Sequence, residues 1–481
     1  VSSHAILSPI NFSNSKSLTL TQQLFSQTSL SHDLLDNLES LGYQHMTDIQ
    51  AQTLPLILAG KDVIGQGKTG SGKTAAFSLG LLHNLNVKRF RVQSLVVCPT
   101  RELADQVAVE IRKLARAIHN IKVLTLCGGA PMGPQIGSLE HGAHIVVGTP
   151  GRIEEHLRKG RLDLSEVNTF VLDEADRMLE MGFEDAIECI IEHCPAQRQN
   201  LLFSATFPPK IEQLAKHVMT APEKVTVEAS HDHSNITQYF YEVDNNDVRL
   251  DAVQKLLLEF QPNSAVIFAN TKAECQAVCD ELQQLGFDSA ALHGDLEQKD
   301  RDRTLVRFVN KSLTILVATD VAARGIDVDH VEMVINYHIA HDPEVHVHRV
   351  GRTGRAGNTG IACSLMSYKE SHKVNALEDY LDITIEPSDL PSDAVFNNPI
   401  TRAPMVTLQI DGGKKAKLRP GDILGALTAN NALKGSQIGK IKVTAMASFV
   451  AVERKVAGKA LNVIGEGKMK GRNFRVRKIN R

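Results

Sequence analysis

The chain has 481 residues, 22% of them charged, and a formal net charge of −2. That length holds roughly two to four domains with enough core to fold without disulfides. No apolar run approaches the roughly 20 residues of a membrane-spanning helix, which argues against a helical membrane protein. The near-neutral total hides a split. Residues 403–481 carry 17 Lys and Arg against 4 Asp and Glu, a net of +13, so the 402 residues before them carry −15. An acidic body with a patterned basic end points to a polyanion docked at that end. Seven cysteines without a CxxC pair fit reduced thiols and a cytosolic setting. Cys275 and Cys279, four apart on an expected helix, fit core packing better than metal ligation.

Residues 1–23 are rich in Ser, Thr and Asn, lack the pattern of a signal peptide, and are expected to be disordered. Across 24–230, short apolar runs at 62–64, 95–98, 145–147, 170–172 and 201–203 alternate with helical patterns. Strands alternating with helices predict a doubly wound parallel sheet with ligands at the strands' C-terminal ends. The same grammar restarts over 231–385, with strands at 265–268, 315–318 and 333–336 and a helix over 272–284 stopped by Gly286. Two such bodies in series imply a cleft between them, suited to a nucleotide-gated hinge. Residues 386–402, with Pro387, Pro391 and Pro399 and no periodicity, read as a linker. Strands at 406–410, 438–443, 449–452 and 473–479, with helices at 420–427 and 456–463, predict a βαββαβ module.

Gly67-Lys68-Thr69-Gly70-Ser71-Gly72-Lys73-Thr74 fits GxxxxGK[ST] and lies between a strand and a helix expected over 75–82. The glycines let backbone N–H groups close around phosphate oxygens at a helix N-terminus. Lys73 then neutralises the β- and γ-phosphates, and Thr74 ligates Mg²⁺. Asp173-Glu174-Ala175-Asp176 ends the apolar run Phe170-Val171-Leu172. Carboxylates at a buried strand end can hold a magnesium ion and aim a water at a phosphate. The same four letters also suit the acidic first turn of a helix. Beside the phosphate loop of the same body, they mark a nucleoside-triphosphate hydrolysis site.

With these motifs in this order, residues 25–371 resemble a DEAD-box RNA helicase of superfamily 2. The resemblance implies two tandem RecA-like domains of α/β class, ATP and Mg²⁺ as cofactors, and RNA as substrate. The segment Gly42 to Gln50 is similar to the family's adenine-reading element, with Gln50 on the adenine edge and Phe25 stacking. Met46-Thr47 stands where the family has Pro-Thr, and Gly67 where Ala is commoner. The resemblance makes Asp173 the water-mediated Mg²⁺ anchor and Glu174 the base or orienter of the attacking water. Ser204-Ala205-Thr206 becomes a coupling motif bonded to the acidic strand end, with Asp176 and His348 in coupling roles. Pro99, Thr100, Arg101, Gly129, Thr149, Pro150, Gly151 and Arg152 are implied RNA-backbone contacts. In the second body Gly294, Arg301, Thr319, Arg324 and Gly325 continue that grip, and Asp327 meets the ribose. Arginines spaced by three through His348-Arg349-Val350-Gly351-Arg352-Thr353-Gly354-Arg355 suit a phosphate clamp. Arg352 and Arg355 are expected at the γ-phosphate only when the bodies close.

The C-terminal stretch Ile410 to Asp422, with Ile438-Gly439-Lys440-Ile441, resembles the tail of the DbpA subfamily of bacterial DEAD-box proteins. That tail is a small α+β domain like an RNA-recognition motif. The likeness implies binding to a hairpin of 23S ribosomal RNA during assembly of the large (50S) subunit, by a cytoplasmic monomer with no membrane partner. Only Phe449-Val450 hints at the stacking aromatics of an ordinary RNA-recognition motif, and Val406 to Ile410 has none. Recognition is therefore expected on Lys414, Lys415, Lys417, Arg419, Arg475 and Arg477. A general cold-adapted RNA chaperone, an ATP-gated RNA scaffold and a DNA translocase are the competing readings.

Overall fold

A computed structural model describes residues 23–67, 70–227, 235–244, 246–323, 331–354 and 359–479. The residues expected to form an N-terminal extension lie outside these, except Gln23. The described residues divide into two compact units, one over 23–227 and the other over 235–479. The first unit is built on a parallel sheet ordered β3-β4-β2-β5-β6-β1-β7. Its strands are β1 (Val63–Gln66), β2 (Ser94–Val97), β3 (Val123–Leu126), β4 (Ile145–Gly148), β5 (Thr169–Asp173), β6 (Gln199–Ser204) and β7 (Glu223–Thr226). Helices cover both faces, so the central strands are continuously apolar rather than alternating. Val171 packs with Val96, Phe203 and Phe77 on one side. Its neighbours Phe170 and Leu172 pack with Ile153, Ile187 and Ile190 on the other.

Register decides where chemistry collects. Gln66 pairs with Ser204 and Asp173 with Phe203, so β1, β5 and β6 end at one level. Val97 and Leu126 both align with Gly148, so β2, β3 and β4 end together as well.

The second unit holds a parallel sheet ordered β10-β11-β9-β12-β13-β8. Its strands are β8 (Ile236–Glu242), β9 (Ala265–Ala269), β10 (Ser289–Leu292), β11 (Ile315–Thr319), β12 (Met333–Asn336) and β13 (Gly360–Met366). Cys275 and Cys279 are buried in its core. The aperiodic stretch 386–402 is packed down rather than loose: Val395 enters that core, and Lys255 joins Asp393 at 2.7 Å.

The C-terminal module has the antiparallel order β15-β16-β14-β17, from β14 (Met405–Ile410), β15 (Ile438–Val443), β16 (Ser448–Glu453) and β17 (Val476–Lys478). Helices Pro420–Thr428 and Ala457–Glu466 back one face, and Leu408, Ile410, Val450 and Val452 form the core beneath them. The module is pinned to the second parallel-sheet domain. Asp288 accepts from Ala403 N and Arg454 Nη2, both at 3.1 Å. Thr407 Oγ1 bonds Asn310 and Ser312 at 3.2 and 2.6 Å.

Candidate nucleotide and RNA site

The phosphate loop leaves β1 and turns into helix Lys73–His83. Gly72 has φ +99°, and a Cβ there would lie 2.5 Å from Gln50 Nε2, so both conformation and space demand glycine. Thr47 and Gln50 brace this turn: Thr47 Oγ1 donates to the Ser71 carbonyl at 2.7 Å and Gln50 Nε2 to the Gly72 carbonyl at 3.1 Å. Gln50 Oε1 accepts from Thr47 N at 2.9 Å, closing a capping box whose Thr-x-x-Gln signature is legible in sequence. Gln50 is therefore held at both ends, while its second N–H and second lone pair stay open to a ligand. Phe25 is 2% exposed and packs edge-on against Tyr43. Ser71 Oγ is buried without a hydrogen-bond partner among the described residues, in a loop whose chemistry suits phosphate oxygens.

Lys73 is buried and donates to the Gly67 carbonyl. Burial lowers its pKa, while Asp173, Glu174 and Asp176 oppose that. Burial first, then the adjacent Glu174 charge, pushes Asp173 up to about 7, with Lys73 pulling the other way. Glu174 takes the left-handed conformation, φ 55°, uncommon for a residue with a side chain, and its carboxylate meets Arg177 at 3.0 Å. Asp176 Oδ2 accepts from Thr206 N and Oγ1, both at 2.9 Å, and Asp176 N donates to Ser204 Oγ at 3.3 Å. Burial disfavours the Asp176 charge, yet the Thr206 bonds and Arg177 hold its pKa below the ordinary value. The acidic tetrad and the Ser-Ala-Thr strand end are thus one bonded unit beside Lys73.

The ends of β2, β3 and β4 carry the other loops of the first unit. Pro99 is buried; Thr100 caps helix Arg101–Leu114 by accepting from Leu103 N at 3.2 Å. Gly129 is exposed with φ 70°. Gly128 N donates to Thr149 Oγ1 at 3.3 Å, and Pro150 opens helix Pro150–Arg158, with Gly151 exposed on its first turn. Arg152 donates to the Ala130 carbonyl at 3.0 Å and to Gln135 Oε1 at 3.1 Å. Helix N-termini and an arginine beside two glycine-bearing loops suit a phosphodiester backbone.

In the second unit, Thr319 ends β11, Gly294 is exposed, and Arg301 lies on helix Gln298–Val309. Arg352 is 5% exposed, just past helix Pro343–Val350, which bears His348. Arg349, with the same spacing, serves the fold. It is 2% exposed, grips Asp320 through Nε and Nη2 at 2.6 and 2.7 Å, and donates to Asn270 and the His338 carbonyl at 2.9 Å. It thereby ties together residues at the ends of β9, β11 and β12. Next to it His338 bridges Glu274 at 2.6 Å and Glu370 at 3.3 Å, and Arg249 completes the cluster on Glu370. Although burial opposes it, these carboxylates raise the His338 pKa. Nothing in residue type marked out Arg177, Gln135 or His338. Lys68, Thr69, Arg324, Gly325, Asp327 and Arg355 lie outside the described residues.

On the module, Lys414, Lys415, Lys417, Arg419 and Arg475 are exposed, and Arg477 pairs with Asp411 at 2.6 Å. Lys470 donates to the Lys417 carbonyl at 2.8 Å and pairs with Asp422 at 3.2 Å, adding a cation that sequence reading passed over. Phe449 is 8% exposed and Thr407 1%. The Phe449 ring therefore offers no open stacking face.

Comparison with known proteins agrees with this site. The DEAD/DEAH box helicase family matches residues 47–214, the helicase conserved C-terminal domain 248–357, and the DbpA RNA binding domain 407–478. The chain is 53% identical to ATP-dependent RNA helicase DbpA of Escherichia coli over 92% of its own length and 96% of that protein's. Against the Bacillus subtilis protein of that name the identity is 35%, covering 95% and 99%. Saccharomyces cerevisiae Dbp5 bound to RNA and ADP BeF3 superposes with a TM-score of 0.69 at 31% identity, covering 77% of this chain and 96% of that one. The chain belongs to the DEAD-box ATP-dependent RNA helicases, in the group that carries a DbpA RNA-binding domain, and is an ATP-hydrolysing enzyme.

Proposed function

We propose that this helicase opens short RNA duplexes locally, and that its basic module directs it to a 23S ribosomal RNA hairpin during assembly of the large subunit, as a cytoplasmic monomer. The motor half of this reading is carried by one observation: Lys73, Asp173 and the Asp176–Thr206 unit converge at the adjoining ends of β1, β5 and β6. ATP binding draws the Lys73 ammonium from the Gly67 carbonyl to the β- and γ-phosphates. Glu174, steadied by Arg177, orients the attacking water. Arg352 and Arg355 supply γ-phosphate partners once RNA brings the units together, an arginine contribution worth about 10³–10⁵ in rate. Magnesium fits the donor set, since the Thr74 hydroxyl and the Asp173 carboxylate are hard oxygen ligands and a buried acid is complemented by a cation. When bound, the ion would offset charge developing on the phosphates.

The targeting half is supported by the DbpA RNA binding domain match, the net charge of +13 over 403–481 and the exposed Lys414, Lys415 and Lys417. The test is a full-length triple variant, K414E/K415E/K417E. RNA needed for half-maximal ATPase stimulation by a 23S fragment should rise by at least about tenfold in moderate salt, with hydrolysis at saturating RNA retained. Unchanged half-saturation would remove these lysines from recognition. Equal stimulation by ribosomal and random RNA in the parent protein would favour the general RNA-chaperone reading.

A further inference from the structure

Helix Met132–Glu140, which carries no motif residue, sends one polar side chain inward. Gln135 is 6% exposed and uses both ends of its amide. Nε2 donates to the Cys127 carbonyl at 3.0 Å. Oε1 accepts from Arg152 Nη1 at 3.1 Å and from His156 Nε2 at 2.9 Å. Cys127 opens the loop with Gly128 and Gly129, while Arg152 and His156 lie on the helix begun by Pro150. One buried amide therefore joins two loops that leave different strands.

We propose that Gln135 is a positioning residue for RNA binding, holding Arg152 and the Gly128-Gly129 loop in one fixed arrangement; the proposal rests on reading those residues as RNA contacts.

The chemistry of the three bonds supports the assignment. His156 is fully buried, and burial, then the Arg152 and Arg161 charges, lower its pKa. The neutral ring must carry its hydrogen on Nε2 to serve Gln135, which leaves Nδ1 bare. Nδ1 is indeed buried with no partner among the described residues. Gln135 Oε1 thus meets two donors and Nε2 one acceptor, an assignment that a flipped amide would break at Arg152 and at the Cys127 carbonyl. Arg152 is steered further by the Ala130 carbonyl and by Glu155 at 3.2 Å. All but one of its bonds could survive loss of Gln135, the direct one to Ala130 among them, but the bridge through the amide to the Cys127 carbonyl and to His156 could not. An arginine that reaches a phosphate must be held in place before RNA arrives, or binding bears the ordering cost.

The test uses the full-length protein with Q135L, Q135E, R152A and the double variant Q135L/R152A. Readouts are RNA for half-maximal ATPase stimulation, kcat at saturating RNA, and RNA-free binding of a fluorescent ATP analogue. Q135L should raise half-saturating RNA by about tenfold, the size expected for one buried hydrogen-bonded link, without changing analogue affinity. Q135E keeps an acceptor for Arg152 and His156 and should recover part of that loss. The double variant should be no worse than R152A alone. Wild-type RNA half-saturation in Q135L, with R152A impaired, would overturn the proposal, as would parallel loss of analogue binding. Wild-type behaviour of R152A would instead overturn the RNA-contact reading beneath it. Should Q135L fail to fold by thermal melting, Q135M, which keeps volume without the amide, carries the same expectation and the same refutation.

Discussion

Lys73 and Asp176 show how single buried charges at the nucleotide site are held. Lys73 has desolvation against its charge and three carboxylates for it, so the acidic tetrad favours the cation that burial disfavours. Lys73→Ala should lower kcat for ATP by at least about a hundredfold, the scale of removing one charge-stabilising donor, and steady-state hydrolysis checks it. Asp176 depends on Thr206 for two of its bonds. Thr206→Val removes the hydroxyl and leaves the N–H, so the protein should lose about 1–2 kcal/mol of stability, read by denaturant unfolding. The tetrad, the phosphate loop and the Ser-Ala-Thr strand end were each legible because their chemistry needs particular residue types. Gln135 and His338 were not, because each matters through partners on other elements, and Arg177 was not, because its pairing with Glu174 needs the left-handed turn at that residue. Arg349 was legible only as one of three evenly spaced arginines, and spacing could not mark it as the one that ties strand ends.

At the scale of elements, strand ends carry the chemistry and buried ion pairs lock them. His338 joins helices Lys272–Gln284 and Ser371–Leu381 to β12 through Glu274, Glu370 and the Lys373 ammonium, which lies 3.7 Å from Glu370. Its folded pKa is raised, so its contribution is complete below about pH 6.5, the unfolded value, and is lost as pH rises through the folded pKa. Thermal melts should show stability falling over that window, and His338→Gln should flatten the fall. Packing between strands makes a second prediction. A Cβ at Gly65 would sit 2.4 Å from the Phe203 ring, so Gly65→Ala should destabilise the first unit by about 1–3 kcal/mol, measured by unfolding. The central strands of the parallel sheets were legible as short apolar runs, whereas β3, β7, β8, β10 and β13 were not; the βαββαβ order of the module was legible as alternating patterns. The packing of 386–402 was not, since Leu390, Val395 and Ile400 are scattered apolar anchors without periodicity in a stretch whose prolines speak for a linker.

Across the whole molecule an acidic body is followed by a basic end, and the proposed function assigns the motor to the first and the address to the second. Parallel sheets set the motor's loops at common edges, and fold, family and chemistry agree there. The module attaches through Asp288, Arg454 and Thr407, with its basic turns exposed. Sequence alone pointed away from base stacking on its sheet, because Phe449 was its one hint of a stacking aromatic; in the structure that ring is buried. Phosphate contacts alone cannot tell one RNA from another, so selectivity should reside in the module and be salt-sensitive. The most direct measurement is ATP hydrolysis by the full-length chain, titrated with a 23S ribosomal RNA fragment and, separately, with random RNA of equal length. The account predicts strong stimulation by both at saturation, with half-saturation at least about tenfold lower for the ribosomal fragment. Equal half-saturation would contradict the address, and hydrolysis indifferent to either RNA would contradict the coupling of the motor itself.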